Sequence, residues 1–318
     1  MRKYAIVATL ASLALATTAS AQLFVENFED GNAGSRWTVT STGDAGADAF
    51  FDYSTVGIAA APNGSGTRGL RLTANDTDDA GTDPTEAIFA RLNTLPTNPL
   101  NGWRISVDMW INYAGTTATT EYGFIGMNNA NGAIQRPTGG TTGTSPATAV
   151  AGTSPTTSGY TFALSGDGGA ARDYRFFTGA NEDVSDAATV GKHQLSPWVP
   201  VQDSGNAFWQ GTFTQNNGTT TFAGEAGNQW VRVQLESFNN ILSWSINGTL
   251  VYQTVDTSFG YERPILGYFD SFASVSPASA ATFVVYDNFQ LEAVPEPMTM
   301  TVLALGAVAA LRRRNKKA

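Results

Sequence analysis

Residues Trp230 to Val255, WVRVQLESFNNILSWSINGTLVYQTV, decide the fold. Val231, Val233 and Leu235 alternate with Arg232, Gln234 and Glu236 until Asn239-Asn240 interrupts the run. Leu242, Trp244 and Ile246 then alternate with Ser243 and Ser245 as far as Asn247-Gly248, a pair suited to the positive backbone angles of a two-residue hairpin turn. Leu250 to Val255 supplies the return strand. Three antiparallel strands with a period of two have one wet face and one apolar face, so the meander must lie on a second sheet.

The rest of the chain reads as the supply of that sheet. Trp103, Ile105, Val107, Met109, Ile111 and Tyr113 fall on one face of a long strand, and Arg104, Ser106, Asp108, Trp110 and Asn112 on the other. Short apolar pieces at 37–40, 50–53, 69–73, 87–90, 160–164, 174–177, 207–213, 220–223, 265–269 and 282–291 are separated by Gly, Asp, Asn and Pro clusters, the pattern of strands joined by surface loops. Between Gln22 and Ala293 no stretch keeps a 3.6-residue apolar period for three turns, which excludes a helical core. Gln135 to Gly159, almost wholly Thr, Gly, Ser, Pro and Ala, reads as a long loop within one domain. About a dozen strands with uneven loops fit an all-β, two-sheet antiparallel jelly-roll sandwich better than two small domains.

The Trp230–Val255 stretch also carries a resemblance. A Trp followed by alternating Val residues, a two-residue turn, an alternating strand, Asn-Gly and an apolar return strand resembles the later strands of concanavalin A-like jelly rolls. That superfamily includes laminin G-like modules, legume-type lectins and laminarinase-type glucanases.

Both ends of the chain read as addresses. Arg2-Lys3, the apolar run from Ala5 to Ala16 and the small-residue site Ala19-Ser20-Ala21 have the three parts of a secretory signal peptide, residues 1–21, with Gln22 as the first mature residue. At the other end, Val294-Pro295-Glu296-Pro297 precedes a mostly apolar run from Met298 to Leu311, followed by Arg312, Arg313, Arg314, Lys316 and Lys317. As a helix this run would reach about 21 Å against a hydrocarbon core of ~30 Å, so it is a poor permanent anchor. The basic cluster would stay on the cytoplasmic side. Residues 294–318 resemble the PEP-CTERM sorting signal of bacteria with extracellular polysaccharide systems. The resemblance implies transient insertion in the inner membrane, recognition by an exosortase-type transpeptidase near Pro295-Glu296-Pro297, and export to the surface or matrix.

Between these addresses, residues 22–293 carry 11 basic groups against 26 acidic ones, a net charge of −15. Such a surface repels nucleic acid and anionic lipid. The chain has no Cys, so the core must hold the fold without disulfides.

Few residues are equipped for chemistry. His193 is the only histidine, no Gly-x-Ser-x-Gly elbow surrounds a serine, and a His- or Cys-based zinc site has too few ligands. Glycoside hydrolysis needs two carboxyl groups across the sugar bond. The Glu-x-Asp-x-x-Glu strand that provides them in laminarinase-type relatives is absent, so the chain does not read as that enzyme. Asn75 to Asp83 is rich in oxygen donors, but an EF-hand register would put Ala80 and Ala87 at ligand positions, and an acidic turn is the simpler reading. Phe28-Glu29-Asp30-Gly31 and Tyr286-Asp287-Asn288-Phe289 resemble elements that supply a structural calcium where first and last strands meet in carbohydrate-binding jelly rolls. This resemblance implies Glu29 and Asp287 as ligands. Period-two counting puts Asp287 in phase with Phe283, Val285, Phe289 and Leu291, a slot where a lone carboxylate is costly and where a metal or a buried hydrogen bond would relieve the cost. Trp110, flanked by Arg104, Asp108 and Asn112, has the composition of a sugar-stacking platform, the competing reading being ordinary packing under the Thr-rich 135–159 loop; Trp198 and Trp209 are less well framed.

The reading that follows is an exported, non-catalytic surface or matrix protein that contacts polysaccharide. The alternatives are a polysaccharide hydrolase or lyase with a non-standard site, and a purely structural or adhesive protein.

Overall fold

The computed structural model describes residues 21–77, 85–99, 102–113, 121–128, 133–137, 154–166, 173–179, 181–182, 207–213, 224–255, 261–272 and 275–294. In chain order its strands begin with β1 (Ala21–Glu26), β2 (Trp37–Ser41), β3 (Ala45–Asp52), β4 (Arg68–Ala74), β5 (Glu86–Leu92), β6 (Gly102–Asn112) and β7 (Glu121–Asn128). They continue with β8 (Tyr160–Ser165), β9 (Tyr174–Thr178), β10 (Asn181–Glu182), β11 (Trp230–Phe238), β12 (Ile241–Ile246), β13 (Thr249–Val255), β14 (Arg263–Asp270) and β15 (Phe283–Ala293). Two short helices, α1 (Ala33–Arg36) and α2 (Ala207–Thr212), interrupt them.

The strands form two antiparallel sheets. The first runs β13-β12-β11-β6-β15-β4-β3, with β1 also on β15, and the second runs β10-β9-β8-β7-β14-β5-β2. This is the jelly-roll sandwich expected from the sequence. The meander is β11-β12-β13, turned by Asn239 and Asn240 at φ 52° and 60° and by Asn247 and Gly248 at φ 50° and 78°. Its inward residues Val231, Val233, Leu235, Leu242, Trp244 and Ile246 join Ile105, Val107 and Met109 of β6 in one core, which Ile125, Phe162, Leu164, Phe176 and Leu266 of the second sheet close from the other side. Burial of side chains this size, at about 25 cal/mol per Å² of apolar surface, drives the two layers together.

One expected strand is a helix. Trp209 and Phe213 stand one helical turn apart, and both stack on Tyr174, with ring centroids 3.5 and 6.3 Å from it. Over a single turn an i, i+4 pair of aromatics satisfies a period of two as well as one of 3.6, which is why the sequence misleads there. Thr156, within the expected 135–159 loop, makes an isolated bridge to Ile134. Residues 138–153, 220–223, His193, Trp198 and the sorting segment from Pro295 onward lie outside the described residues. Among the described residues no helix is long and apolar enough to cross a membrane.

Candidate functional site

Strand β15 changes partners halfway along. Val284 to Tyr286 pair with β4 on one side, whereas Phe289 to Ala293 pair with β1. On the other side β6 runs unbroken, but its register slips: Asp287 faces Asp108 while Gln290 faces Ser106, so β15 carries one residue too many. Asn288 takes up the excess at φ 52°, a left-handed angle that Asn tolerates better than most residues.

This bulge corrects the period-two count. Phe283, Val285 and Asp287 share the outward face, but Phe289 and Leu291 turn into the core with Val284 and Tyr286. Asp287 therefore sits on the outside of the first sheet. It is nevertheless only 1% exposed, because the segment from Tyr53 to Thr67 folds over it. That segment starts as a 3-10 turn, Tyr53–Val56, capped by the Asp52 carboxylate and ended by Gly57 at φ 82°.

Under the segment lies a connected polar network. Asp108, with no exposed surface, accepts from the Asn63 side chain at 2.7 Å and backbone at 3.2 Å, from Asn288 Nδ2 at 2.9 Å and from Arg232 at 3.2 Å. Arg232 also donates to the bulge carbonyl Asn288 O at 2.8 Å and to Ser106 Oγ at 2.7 Å. One guanidinium thus both balances Asp108 and pins the extra residue. Asp287 Oδ2 accepts from the Tyr53 hydroxyl at 2.9 Å, and Tyr53 takes a bond from Ala61 N in turn. Glu29 accepts from Arg68 N at 2.8 Å.

Glu29 and Asp287, named from sequence, stand in one another's electrostatic field. Burial pushes the Asp287 carboxyl up to about 7, and the charges of Glu29 and Asp108 add to the shift. Burial, then the charges of Asp287 and Glu29, also raises the Tyr53 phenol. Asp287 thus feels the charges of Glu29 and Asp108, and Arg232 answers Asp108; among the described residues no three carboxylates converge on one point. Glycines make the space: a Cβ on Gly66 would overlap the Glu29 carboxylate, and one on Gly64 the Asn288 amide. The glycines admit the Glu29 carboxylate and the Asn288 amide to the network, and Glu29 and Asp287 are the carboxylates that could hold a hard cation such as calcium here.

The four residues named around Trp110 do share the outward face of β6, but they are differently employed. Asp108 is sealed in the network. Arg104 lies across from Glu236 and Glu292, with its Nε 2.7 Å from Glu236 Oε2. Asn112 accepts from Trp110 Nε1 at 3.1 Å and donates to Ala281 O at 2.6 Å. Trp110 itself is half-buried, and its cross-strand neighbour is Trp230, with ring centroids 5.8 Å apart at 65°. Trp230 donates to Ala59 O at 2.7 Å and meets the Tyr53 ring edge-on at 5.3 Å. Both indole N–H groups are occupied by protein and both rings pack against the cluster of Tyr53, Ile58, Phe283 and Val285, which leaves only their outward parts half-exposed. Trp230, Tyr53, Asn63 and Arg232 were not singled out from sequence as site residues. Their partners lie tens to hundreds of residues away, and the one local signal was Trp230 opening a strand whose register with β6 had yet to be known.

No family model matches the chain, and no curated protein matches it in sequence. Among solved structures it is similar to the Emp46p carbohydrate recognition domain in its metal-free form, at 11% identity and a TM-score of 0.39, over 88% of this chain and 98% of that one. It is also similar to a protein of unknown function with a galectin-like fold from Bacillus subtilis, at 10% identity and a TM-score of 0.41, over 86% and 96% of the two chains. A third is the carbohydrate-binding module CBM66 from Bacillus subtilis, at 10% identity and a TM-score of 0.34, over 70% and 86%. Likeness at this level says nothing of what this chain binds.

Proposed function

We propose that this chain is an exported, non-catalytic protein of the cell surface or extracellular matrix that contacts polysaccharide through the Trp110–Trp230 pair on the outer face of its first sheet. The observation that carries the reading is that aromatic pair: two half-exposed rings whose polar atoms are already satisfied, so that what they offer outward is apolar. The carboxylates nearby support a role without catalysis, since Asp108 is fully buried in its network and Glu236 is paired with Arg104. A general acid or nucleophile must reach the sugar. Calcium, in this reading, sits at Glu29 and Asp287 and fixes the Tyr53–Thr67 segment, whose Ala59 carbonyl holds Trp230.

Export follows the signal peptide, and an exosortase processes the chain at Pro295-Glu296-Pro297 after a pause in the inner membrane, with Arg312, Arg313 and Arg314 on the cytoplasmic side. Retention of the full-length chain on polysaccharide from the producing cell tests the contact. Trp110→Ala should cut retention at least tenfold while leaving the melting transition cooperative; undiminished retention would remove the Trp110–Trp230 pair as the site. Release of reducing ends or unsaturated sugars during the same incubation would point instead to an enzyme. Replacing residues 295–297 by alanine should leave the unprocessed chain in the membrane fraction.

A further inference from the structure

A second cluster of acidic groups lies far from this network, between the two sheets at one end of the sandwich. The register of the second sheet puts Glu86 of β5, Asp270 of β14 and Glu121 of β7 side by side, Asp270 being opposite both others. All three point inward, in phase with Ile88, Tyr268 and Ile125, and their exposures are 0%, 0% and 5%. Neighbouring strands are ~4.8 Å apart, so three buried like charges in such a row repel unless something between them answers. Glu86 is answered by Arg136 at 2.7 Å and by the Thr42 hydroxyl. Asp270 accepts from Asn75 Nδ2 at 2.6 Å and Phe272 N at 2.8 Å. Asn75 and Asp76 begin the acidic stretch noted in the sequence. Asp76, two residues beyond the end of β4, takes the Thr73 hydroxyl at 2.6 Å, and its carboxyl is raised above its ordinary value by burial.

The independent sign of a ligand is Tyr268. Its ring is wholly buried, and its hydroxyl has no hydrogen-bond partner. That phenol is raised well above its ordinary range, first by burial and then by the charges of Glu121, Asp270 and Asp76, and Tyr268 stands two residues from Asp270 on the same inward face of β14. A buried hydroxyl without a partner is rare and costly.

We propose that this end of the sandwich is a second cation site, in which Asp270 and Glu121 with the Tyr268 hydroxyl bind a hard divalent ion of the calcium class. Every donor is oxygen, which disfavours softer transition metals. Among the described residues no three carboxylates converge on one point, so the site is one of two carboxylates and neutral oxygens, a set that the adaptable coordination of calcium accepts more readily than the strict octahedron of magnesium.

The test uses the full-length chain in mild detergent with Asp287→Asn in the background, so that Glu29 and Asp287 contribute nothing. Calcium chloride at a hundredfold excess over its dissociation constant should still raise the melting temperature by about 5 °C over EDTA. Adding Tyr268→Phe should abolish most of that gain while melting in EDTA at or above its parent, because it deletes only an unpartnered hydroxyl. Glu121→Gln should abolish the gain as well. A parent that gains nothing from calcium, or a Tyr268→Phe variant that gains as much as its parent, overturns the proposal. If the unmutated chain responds to calcium and the Asp287→Asn background does not, only the Glu29–Asp287 site stands.

Discussion

Strands β11 to β13 and strand β15 belong to the same sheet, yet they were built by different rules. Along β11 the alternation of inward and outward residues holds for nine residues against β6, and both flanking turns of the meander are two-residue turns with positive backbone angles. Along β15 the alternation fails at Asn288, where the strand also exchanges β4 for β1 as its neighbour. The regular ladder yields a flat, wet outer face with pairs such as Arg104 and Glu236. The broken one yields a recess, because a bulge turns a carboxylate away from the core at the point where β1 ends and the Tyr53–Thr67 segment can close over it. Regularity makes the wall, and its interruption makes the candidate site.

The comparison can be broken most forcefully through its two ion pairs. Arg232–Asp108 and Arg104–Glu236 both join β6 to β11 on the same outer face, but Asp108 is sealed and Glu236 is partly wet. Asp108→Ala strands the Asn63 and Asn288 amides and leaves Arg232 without its counter-charge, at a cost of about 3 kcal/mol in urea unfolding. Glu236→Ala should cost less than about 1 kcal/mol, since solvent screens that pair. Equal losses would mean that the network under the segment is no more than surface decoration.

A smaller effect follows from Asp287. Its folded pKa of about 7 lies above the ordinary 3.8, so the folded chain keeps a proton that the unfolded chain releases between those values. Without calcium its contribution to stability is therefore complete below about pH 4 and is lost as the pH climbs through about 7. A cation needs the carboxylate, so calcium should bind about tenfold more weakly at pH 6 than at pH 8. Asp287→Asn should flatten both trends in titrations of the full-length chain. Trends that survive the substitution would assign them to another group.

Much of this was legible before any coordinates. The meander and the long β6 strand with Trp110 outside rest on local alternation, whereas Glu29 and Asp287 were named only through a resemblance. What escaped has a common physical cause. Val284, Tyr286, Phe289 and Leu291 keep a single inward phase only if one residue is skipped, and no period-two count allows for that. Asn63 and Tyr53 acquire their partners 45 and 234 residues away, and their sequence reads only as a short apolar piece ending at Tyr53 and the loop after it. The same holds for the row Glu86, Asp270 and Glu121, which exists only once three strands are in register.

The finest test compares two asparagines with nearly the same backbone angle. Asn240, at φ 60°, closes the first turn of the meander, and Asn288, at φ 52°, forms the bulge. Glycine accepts either angle without strain, so Asn240→Gly should alter stability by no more than about 0.5 kcal/mol. Asn288→Gly keeps the backbone equally content but removes the amide that donates to Asp108, and should cost about 1.5 kcal/mol more than its counterpart. Because the backbone term is common to both, the difference between the two unfolding free energies measures what the bulge residue's side chain does for the network. A difference near zero would mean that Asn288 is there only to turn the chain, and that the recess is held by Arg232 and Asn63 without it.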